Sequence, residues 1–297
     1  MKTASTLIAE IKLRGHFPSE GDFLYKNDTE ILMLLNAVLR NDLIPFYIEN
    51  EPSYMLAYED IPINGKRSFK IPAAAYNRRL YEVRFVTTDN DREENIPYMP
   101  FKNNSTIEST AEGMRIIGNY VELLGYGDRI DEYKLRLWYH RTSYDLVLDS
   151  ETVLLKDSYT EAGKQQFSAT ERQFSFTEGA RVMIQDSRDP FEITEDQVSF
   201  VRENGNFGLQ RTEQAAPFRY PASAIMCPAK RLSIPEIPEV ASELLILKTL
   251  LTMALSTETR YRVRDQLKQQ SMLVEQSLKK RVHMETASKR SGSLLWS

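Results

Sequence analysis

Apolar positions near the N-terminus recur at helical spacing: Leu7, Ile8 and Ile11 form a short stripe that Gly15 ends. A stronger stripe follows at Ile31, Leu34, Leu35, Val38 and Leu39, with Asp28 or Thr29 available as its cap. Pro45 disfavours helix in the residue before it, so this second helix is expected to stop by Leu43 or Ile44. The period then changes to two. Phe69-Lys70-Ile71-Pro72 reads as an extended step, and residues 80–87 alternate imperfectly as a strand. Residues 114–123 read as a hairpin turning at Gly118-Asn119. Residues 134–141 alternate cleanly, with Leu135, Leu137 and Tyr139 on one face and Arg136, Trp138 and His140 on the other, which predicts a half-buried strand. Further short strands are expected at 153–156, 172–176, 181–184, 197–201 and 207–210.

After Pro228 the helical period returns. Ser233-Ile234-Pro235-Glu236-Ile237-Pro238-Glu239 supplies a serine cap, prolines suited to a helix start and an acidic first turn. Val240, Leu244, Leu247, Leu251 and Leu255 follow at about four-residue spacing. A last helix, from about Glu258, carries Val263, Leu267, Val274 and Leu278 on one side and Arg260, Arg264, Lys268 and Gln269 elsewhere. It is expected to end near Glu285, before a polar tail closed by Leu294-Leu295-Trp296. The fold class expected is α+β. N-terminal helices (1–50) and C-terminal helices (232–284) form one helical bundle, residues 62–230 a central β-rich module, sandwich or barrel-like, and residues 285–297 an extended arm.

Composition narrows the class without naming a function. The 297 residues suffice for one large domain or two modest ones, and 41% apolar with 27% charged is ordinary for a soluble globular chain. A net charge of −4 argues against wholesale nucleic-acid coating. The charge is uneven: residues 260–297 hold nine Lys or Arg against three Asp or Glu, a surplus of +6, which leaves −10 on the remainder. A basic C-terminal segment on an acidic body can pair head-to-tail with a neighbour or meet another acidic partner; the plainer reading is a solvated helix face. Cys227 is the single cysteine, so no internal disulfide is available and a reducing cytoplasm is the expected folding compartment. The N-terminus lacks a signal-peptide core, and no apolar run approaches the roughly 18 residues of a membrane span, so a soluble protein without membrane contact is expected.

Candidate chemistry is sparse. The three histidines, His16, His140 and His283, lie far apart, and no His-x-x-His or Cys-x-x-Cys pair occurs, so neither a metal site nor a cofactor is expected. Cys227 beside Pro228, with no histidine near in sequence, reads as a structural thiol. Phosphate-cradling glycine motifs and Gly-x-Ser-x-Gly are absent from the sequence. Asp89-Asn90-Asp91-Arg92-Glu93-Glu94 looks like the start of a calcium loop but lacks the central glycine and the spaced glutamate, and reads as a solvated β-connection. Glu192, Glu195 and Asp196 fall in a β-connection, where solvation is the default. Trp138, Tyr139 and Tyr144 suggest either a stacking platform or, more plainly, core and cross-strand packing. No catalytic residue is singled out, and a non-enzymatic protein is expected.

The order of these segments resembles the head-to-tail connector (adaptor, or tail-accessory) proteins of tailed bacteriophages. The resemblance is carried by the opening helix pair, by Phe69-Lys70-Ile71-Pro72 leading into the strand at 80–86, and by Gly118-Asn119-Tyr120-Val121-Glu122-Leu123 followed by Leu135-Arg136-Leu137-Trp138-Tyr139-His140-Arg141. It continues through Ile234-Pro235-Glu236-Ile237-Pro238-Glu239, the leucine-rich helix, the second helix and Lys280-Arg281-Val282 before a Ser-rich tail. It spans nearly the whole chain in order and texture, with Gly125-Tyr126-Gly127-Asp128 where a proline-rich step is usual, and an aromatic tail at Trp296.

The resemblance implies a structural virion protein assembled in the host cytoplasm and resident in the neck or tail. It would form a homo-oligomeric ring below the portal vertex that joins capsid to tail and helps retain and pass DNA. Its partners would be further copies, the portal protein, tail or nozzle proteins, and genomic DNA transiently in the lumen. Carried onto this chain, residues 235–282 would pack the ring through Leu244, Leu247, Leu251, Leu255, Val263 and Leu267. Residues 283–297 would reach the portal through Arg290, Leu294, Leu295 and Trp296, with Arg260, Arg264, Lys280 and Arg281 as charged contacts. The competing expectations are a tail-associated glycan or peptidoglycan hydrolase, another neck or tail ring protein, and a nucleic-acid-binding module using residues 260–290.

Overall fold

The computed structural model describes residues 1–15, 27–51, 53–87, 92–99, 112–130, 132–161, 164–169, 176–201, 207–211, 224–255 and 261–293. The fold is mixed α+β, with helices at both ends of the chain and, between them, antiparallel sheets and one short parallel pair. It divides into two compact units. One holds Met1–Phe46 and Ser143–Ser297, the other Tyr47–Thr142. The single β-rich domain expected over 62–230 is therefore split, and its second half belongs with the helices. The reason lies in pairing: strands after Ser143 bond to each other, and strands before Thr142 do likewise.

In the first unit, helix α1 (Ala4–Gly15) buries Leu7, Ile8 and Ile11, and α2 (Asp28–Val38) buries Ile31, Leu35 and Val38. The cap of α2 is Asn27, ahead of the expected Asp28 or Thr29, its side-chain oxygen accepting from the Thr29 N–H at 2.9 Å. The helix does not stop before Pro45. A π-helical turn, Leu39–Leu43, widens the backbone so that the Ile44 N–H reaches the Leu39 carbonyl. Helix α3 (Ile44–Asn50) follows without a break, so the wider turn carries the helix past Pro45, a position that donates no N–H. The continuous stretch Asp28–Asn50 is 23 residues with a mean hydropathy of 1.4, long and apolar enough to cross a membrane by length and composition, although no apolar run of that length was expected. Leu39, Leu43, Ile44 and Phe46 nevertheless sit in the chain's own core.

The second unit is two small sheets sharing one core. Its strands are β1 (Leu56–Pro62), β2 (Ser68–Lys70), β3 (Glu82–Val86), β4 (Glu93–Asn95), β5 (Gly113–Ile117), β6 (Tyr120–Leu124) and β7 (Lys134–His140). They pair as β1-β7-β3-β4 and β2-β6-β5. Phe69, Val83, Phe85, Val121, Leu123, Leu135, Leu137 and Tyr139 fill the space between. The β5–β6 hairpin turns at Gly118, whose φ of +56° is open to glycine without strain. Gly113 is required for closeness: a Cβ there would sit 2.6 Å from the Pro97 carbonyl oxygen.

Back in the first unit come β8 (Asp145–Leu146), β9 (Val153–Glu161), β10 (Lys164–Ala169), β11 (Arg181–Gln185), β12 (Ile193–Val201), β13 (Phe207–Arg211), β14 (Ile225–Pro228) and β15 (Arg231–Leu232). Six of them close a barrel in the order β10-β13-β12-β11-β14-β9. Alternation along β11 and β14 has two buried sides. Val182, Ile184 and Met226 join one cluster with Val153, Leu155, Val198 and Phe207, while Met183, Ile225 and Cys227 join another with Val147, Leu232 and Ile234. At the end of β11, Gln185 is fully buried and grips the backbone of Ile234. Its Oε1 accepts from the Ile234 N–H at 3.0 Å and its Nε2 donates to the Ile234 carbonyl at 2.8 Å. The strand expected at 172–176 lies largely outside the described residues.

Helix α4 (Ser242–Leu255) follows a 3-10 turn at Glu239–Ala241, and α5 (Tyr261–Ser293) is 33 residues long. Residues 285–293, expected as an extended arm, therefore continue the helix. Arg14 of α1 meets Glu243 of α4 at 2.5 Å, Lys12 of α1 pairs with Asp28 of α2, and Lys248 of α4 pairs with Glu275 of α5 at 3.5 Å.

Candidate functional site

The leucines expected at a subunit interface are spent inside the chain. Leu244 and Leu247 of α4 are buried, as are Val263 and Leu267 of α5, and Leu251 is half-buried. The side chain of Leu255 lies outside the described residues. The physical reason is visible in α4 itself: Leu245, Ile246, Thr249, Leu250 and Met253 are buried as well, so this helix is covered on nearly every side rather than along one stripe. These residues are core, which corrects the expectation of an α4 stripe shared between copies. On α5 the seam is narrower, formed by Val263, Leu267, Ser271 and Leu278, while Met272 and Leu273 stand exposed.

Of the charged contacts expected, Arg264 is half-buried and Lys280 and Arg281 are exposed. Arg290 falls on α5, and Arg260, Leu294, Leu295 and Trp296 lie outside the described residues. Cys227 is completely buried, and that burial pushes its thiol up to about 12. The aromatic group Trp138, Tyr139 and Tyr144 is not brought together on one surface. Tyr139 faces the core of the second unit, and Tyr144 packs beside the Met183–Cys227 cluster of the first.

What the structure assembles instead is the outer face of the β1-β7-β3-β4 sheet. Register places Tyr58, Trp138 and Glu82 in one cross-strand row, and Asp60, Arg136 and Arg84 in the next. Because side chains alternate along β7, burying Leu135, Leu137 and Tyr139 obliges Arg136 and Trp138 to face outward. The Arg136 guanidinium donates to both Asp60 oxygens at 2.7 Å and also to Glu93. Arg84 donates to Glu93 and to Glu82, each at 2.6 Å. The five side chains thus alternate in charge across four strands.

Electrostatics follow from that alternation. The hydrogen bond from Arg84, reinforced by Arg136, holds the Glu93 carboxyl below the usual carboxylate range. Glu82 and Glu93 push the Arg84 guanidinium up, and Asp60 does the same for Arg136. Glu93 is therefore an acceptor at neutral pH, not a proton donor. Beside the ladder, Arg136 lies 4.2 Å over the Tyr58 ring, and Tyr58 and Trp138 meet at 4.9 Å with a 51° tilt. Two donors buried in this face, Trp138 Nε1 and Arg84 Nε, have no hydrogen-bond partner.

Sequence reasoning placed Arg136 and Trp138 on an outer face but did not find Tyr58, Asp60, Glu82, Arg84 or Glu93 as their neighbours. The available signal was the alternation of Leu56, Tyr58 and Asp60 ahead of Pro62; strand register is not written locally. Among the described residues, no group of three or more His, Cys, Asp or Glu is placed to hold a metal ion. No protein-family profile matches the chain, and no curated protein matches it.

Proposed function

We propose that the protein is a structural virion subunit that assembles into a homo-oligomeric ring below the portal, joining capsid to tail and helping to retain and pass DNA. In this reading the N- and C-terminal helices form one bundle, supported by the Arg14–Glu243 pair, and the protein resides in the neck or tail. The observation that carries the proposal is the mismatch between the last two helices. At 1.5 Å per residue, α5 with 33 residues extends about 50 Å, whereas α4 with 14 extends about 21 Å.

Among the described side chains of α5, Glu275 pairs with Lys248 at 3.5 Å and the Lys279 ammonium lies 5.6 Å from the Phe46 ring centroid. Beyond it, residues 280–293 add roughly four more turns of helix. That extension carries Lys280, Arg281, Lys289 and Arg290, within a segment whose surplus is +6 against a body of −10. A polar helix of this kind gains little from propensity alone and is stabilised by packing on a partner. The ring interface is accordingly assigned to the α5 extension received by an acidic surface of the next copy or by the portal, in place of the α4 leucines.

Mass photometry of the purified protein, alone and with the portal, tests the reading. Rings or portal-bound assemblies are expected, and removal of residues 280–297 abolishes them while the circular-dichroism melt keeps its midpoint. A full-length chain that stays monomeric under both conditions overturns the proposal.

A further inference from the structure

Helix α5 has a second face that its own chain leaves bare. Val263, Leu267, Ser271 and Leu278 turn to the core, with Val274 half-buried beside them. At about 100° of rotation per residue, the opposite side of the helix carries Asp265, Gln269, Met272, Leu273, Gln276 and Lys280, all within about 50° of its midline. All six are exposed, Met272 at 53% and Leu273 at 67%. Among the described residues, none of these six side chains has a hydrogen-bond or ion-pair partner.

The order of this face is the same in both directions, except that its two ends carry opposite charges. Counted outward from the midpoint between Met272 and Leu273, an apolar residue comes first on each side, then Gln269 and Gln276, then Asp265 and Lys280. An identical helix laid antiparallel about a twofold axis therefore meets apolar with apolar at the centre and acid with base at the ends. Met272 and Leu273 each face their own counterpart, Gln269 faces Gln276, whose amides donate and accept in both senses, and Asp265 faces Lys280 at two symmetric places. A parallel copy would set Asp265 against Asp265 and Lys280 against Lys280, so the charges select the antiparallel arrangement. The neighbouring cations stand aside. Lys279 is engaged by Glu275 at 3.5 Å and by the Phe46 ring, and Lys268 projects about a quarter turn from the midline. The next pair outward by sequence, Arg262 and His283, lies outside the residues whose side chains are described.

We infer that α5 carries a self-docking face for a second copy of this chain, packed antiparallel across a twofold axis between Met272 and Leu273, with Asp265–Lys280 pairs closing both ends. Spanning about 22 Å of helix, the face is well short of a standard interface, so the contact is a weak one that forms at high local concentration. It goes beyond ring assembly and does not depend on it: a head-to-tail ring closes through a different pairing of surfaces, and a twofold contact joins two rings or two free subunits.

The test uses the full chain with Leu273→Cys at about 100 µM. Cys227 is buried, so the introduced thiol is the reactive one. Oxidation with copper phenanthroline is expected to give covalent dimers about tenfold or more faster than it does for Met33→Cys, an exposed position on α2. Added to Leu273→Cys, either Asp265→Lys or Lys280→Asp slows cross-linking about fivefold or more with an unchanged circular-dichroism spectrum. Mixing these two charge variants restores it, because each chain then meets opposite charge at both ends. Cross-linking no faster than that of Met33→Cys, or a mixture no better than its components, overturns the proposal. Rings that persist by mass photometry in a chain whose Leu273→Cys fails to cross-link leave the ring reading standing and overturn this one.

Discussion

The two units are held together by opposite means. The first relies on elements apolar on several sides: α4 is covered nearly all round, and β11 and β14 bury both faces. The second relies on half-faces, with β7 giving Leu135, Leu137 and Tyr139 to the core and Arg136, itself buried, to an ion ladder on the opposite face. An element covered on every side has no surface left to recognise anything, whereas a half-covered one must present something. On the reading proposed above, assembly therefore falls to α5 rather than to α4.

The largest expected effect probes the first unit. Leu244→Ala in α4 lowers stability by about 3 kcal/mol in chemical denaturation, as for other fully buried leucines, whereas the exposed Leu273→Ala costs under about 0.5 kcal/mol. Equal losses at the two positions would break the contrast between a core helix and a one-seam helix.

Next comes the second unit. Arg136→Met leaves Asp60 and Glu93 facing each other without their shared cation and costs about 2 kcal/mol, less than the ~3–5 kcal/mol of a fully buried pair because both carboxylates are partly exposed. Hydrogen exchange should place the loss on β1, β3 and β4. A loss spread evenly over the barrel would contradict the division into units.

A smaller effect is acid-dependent. The folded Glu93 pKa lies below its unfolded value of about 4.3, so its contribution is fully present above that pH and is lost as pH falls through the depressed folded value. Glu93→Gln costs about 1 kcal/mol at pH 7, and the difference from the parent narrows as pH drops from about 5 toward 3. A difference that grows on acidification would reverse the sign and dismiss the ladder. The smallest effect is at Cys227: its raised pKa and burial predict negligible alkylation by iodoacetamide at pH 8 in the folded chain and prompt alkylation in denaturant.

How far the sequence could be read follows the range of the forces. Alternation at 134–141 and the hairpin at Gly118 are local and were legible, as were the first two helix stripes. The partners of Arg136 were not, because Asp60 and Glu93 reach it by register across 76 and 43 residues of chain. The four-residue leucine spacing in α4 was read as one stripe, although Leu245, Ile246 and Leu250 fill the other sides in plain sight; the period was right and the width was not. Pro45 was read as a stop because a π-turn leaves no sequence signature. The unit boundaries at Phe46 and Ser143 coincide with no change of composition.

The grip of Gln185 on Ile234 has a kinetic consequence. A single amide, sealed from water, spans the last rung of the barrel and the segment that launches α4. Neither side can open without leaving that amide's donor and acceptor stranded, so local fluctuations of the barrel rim and of the α4 lead-in become one event. Their backbone protons should share a single opening rate, and a glutamate at position 185, isosteric but stripped of its donor, would let the two breathe apart.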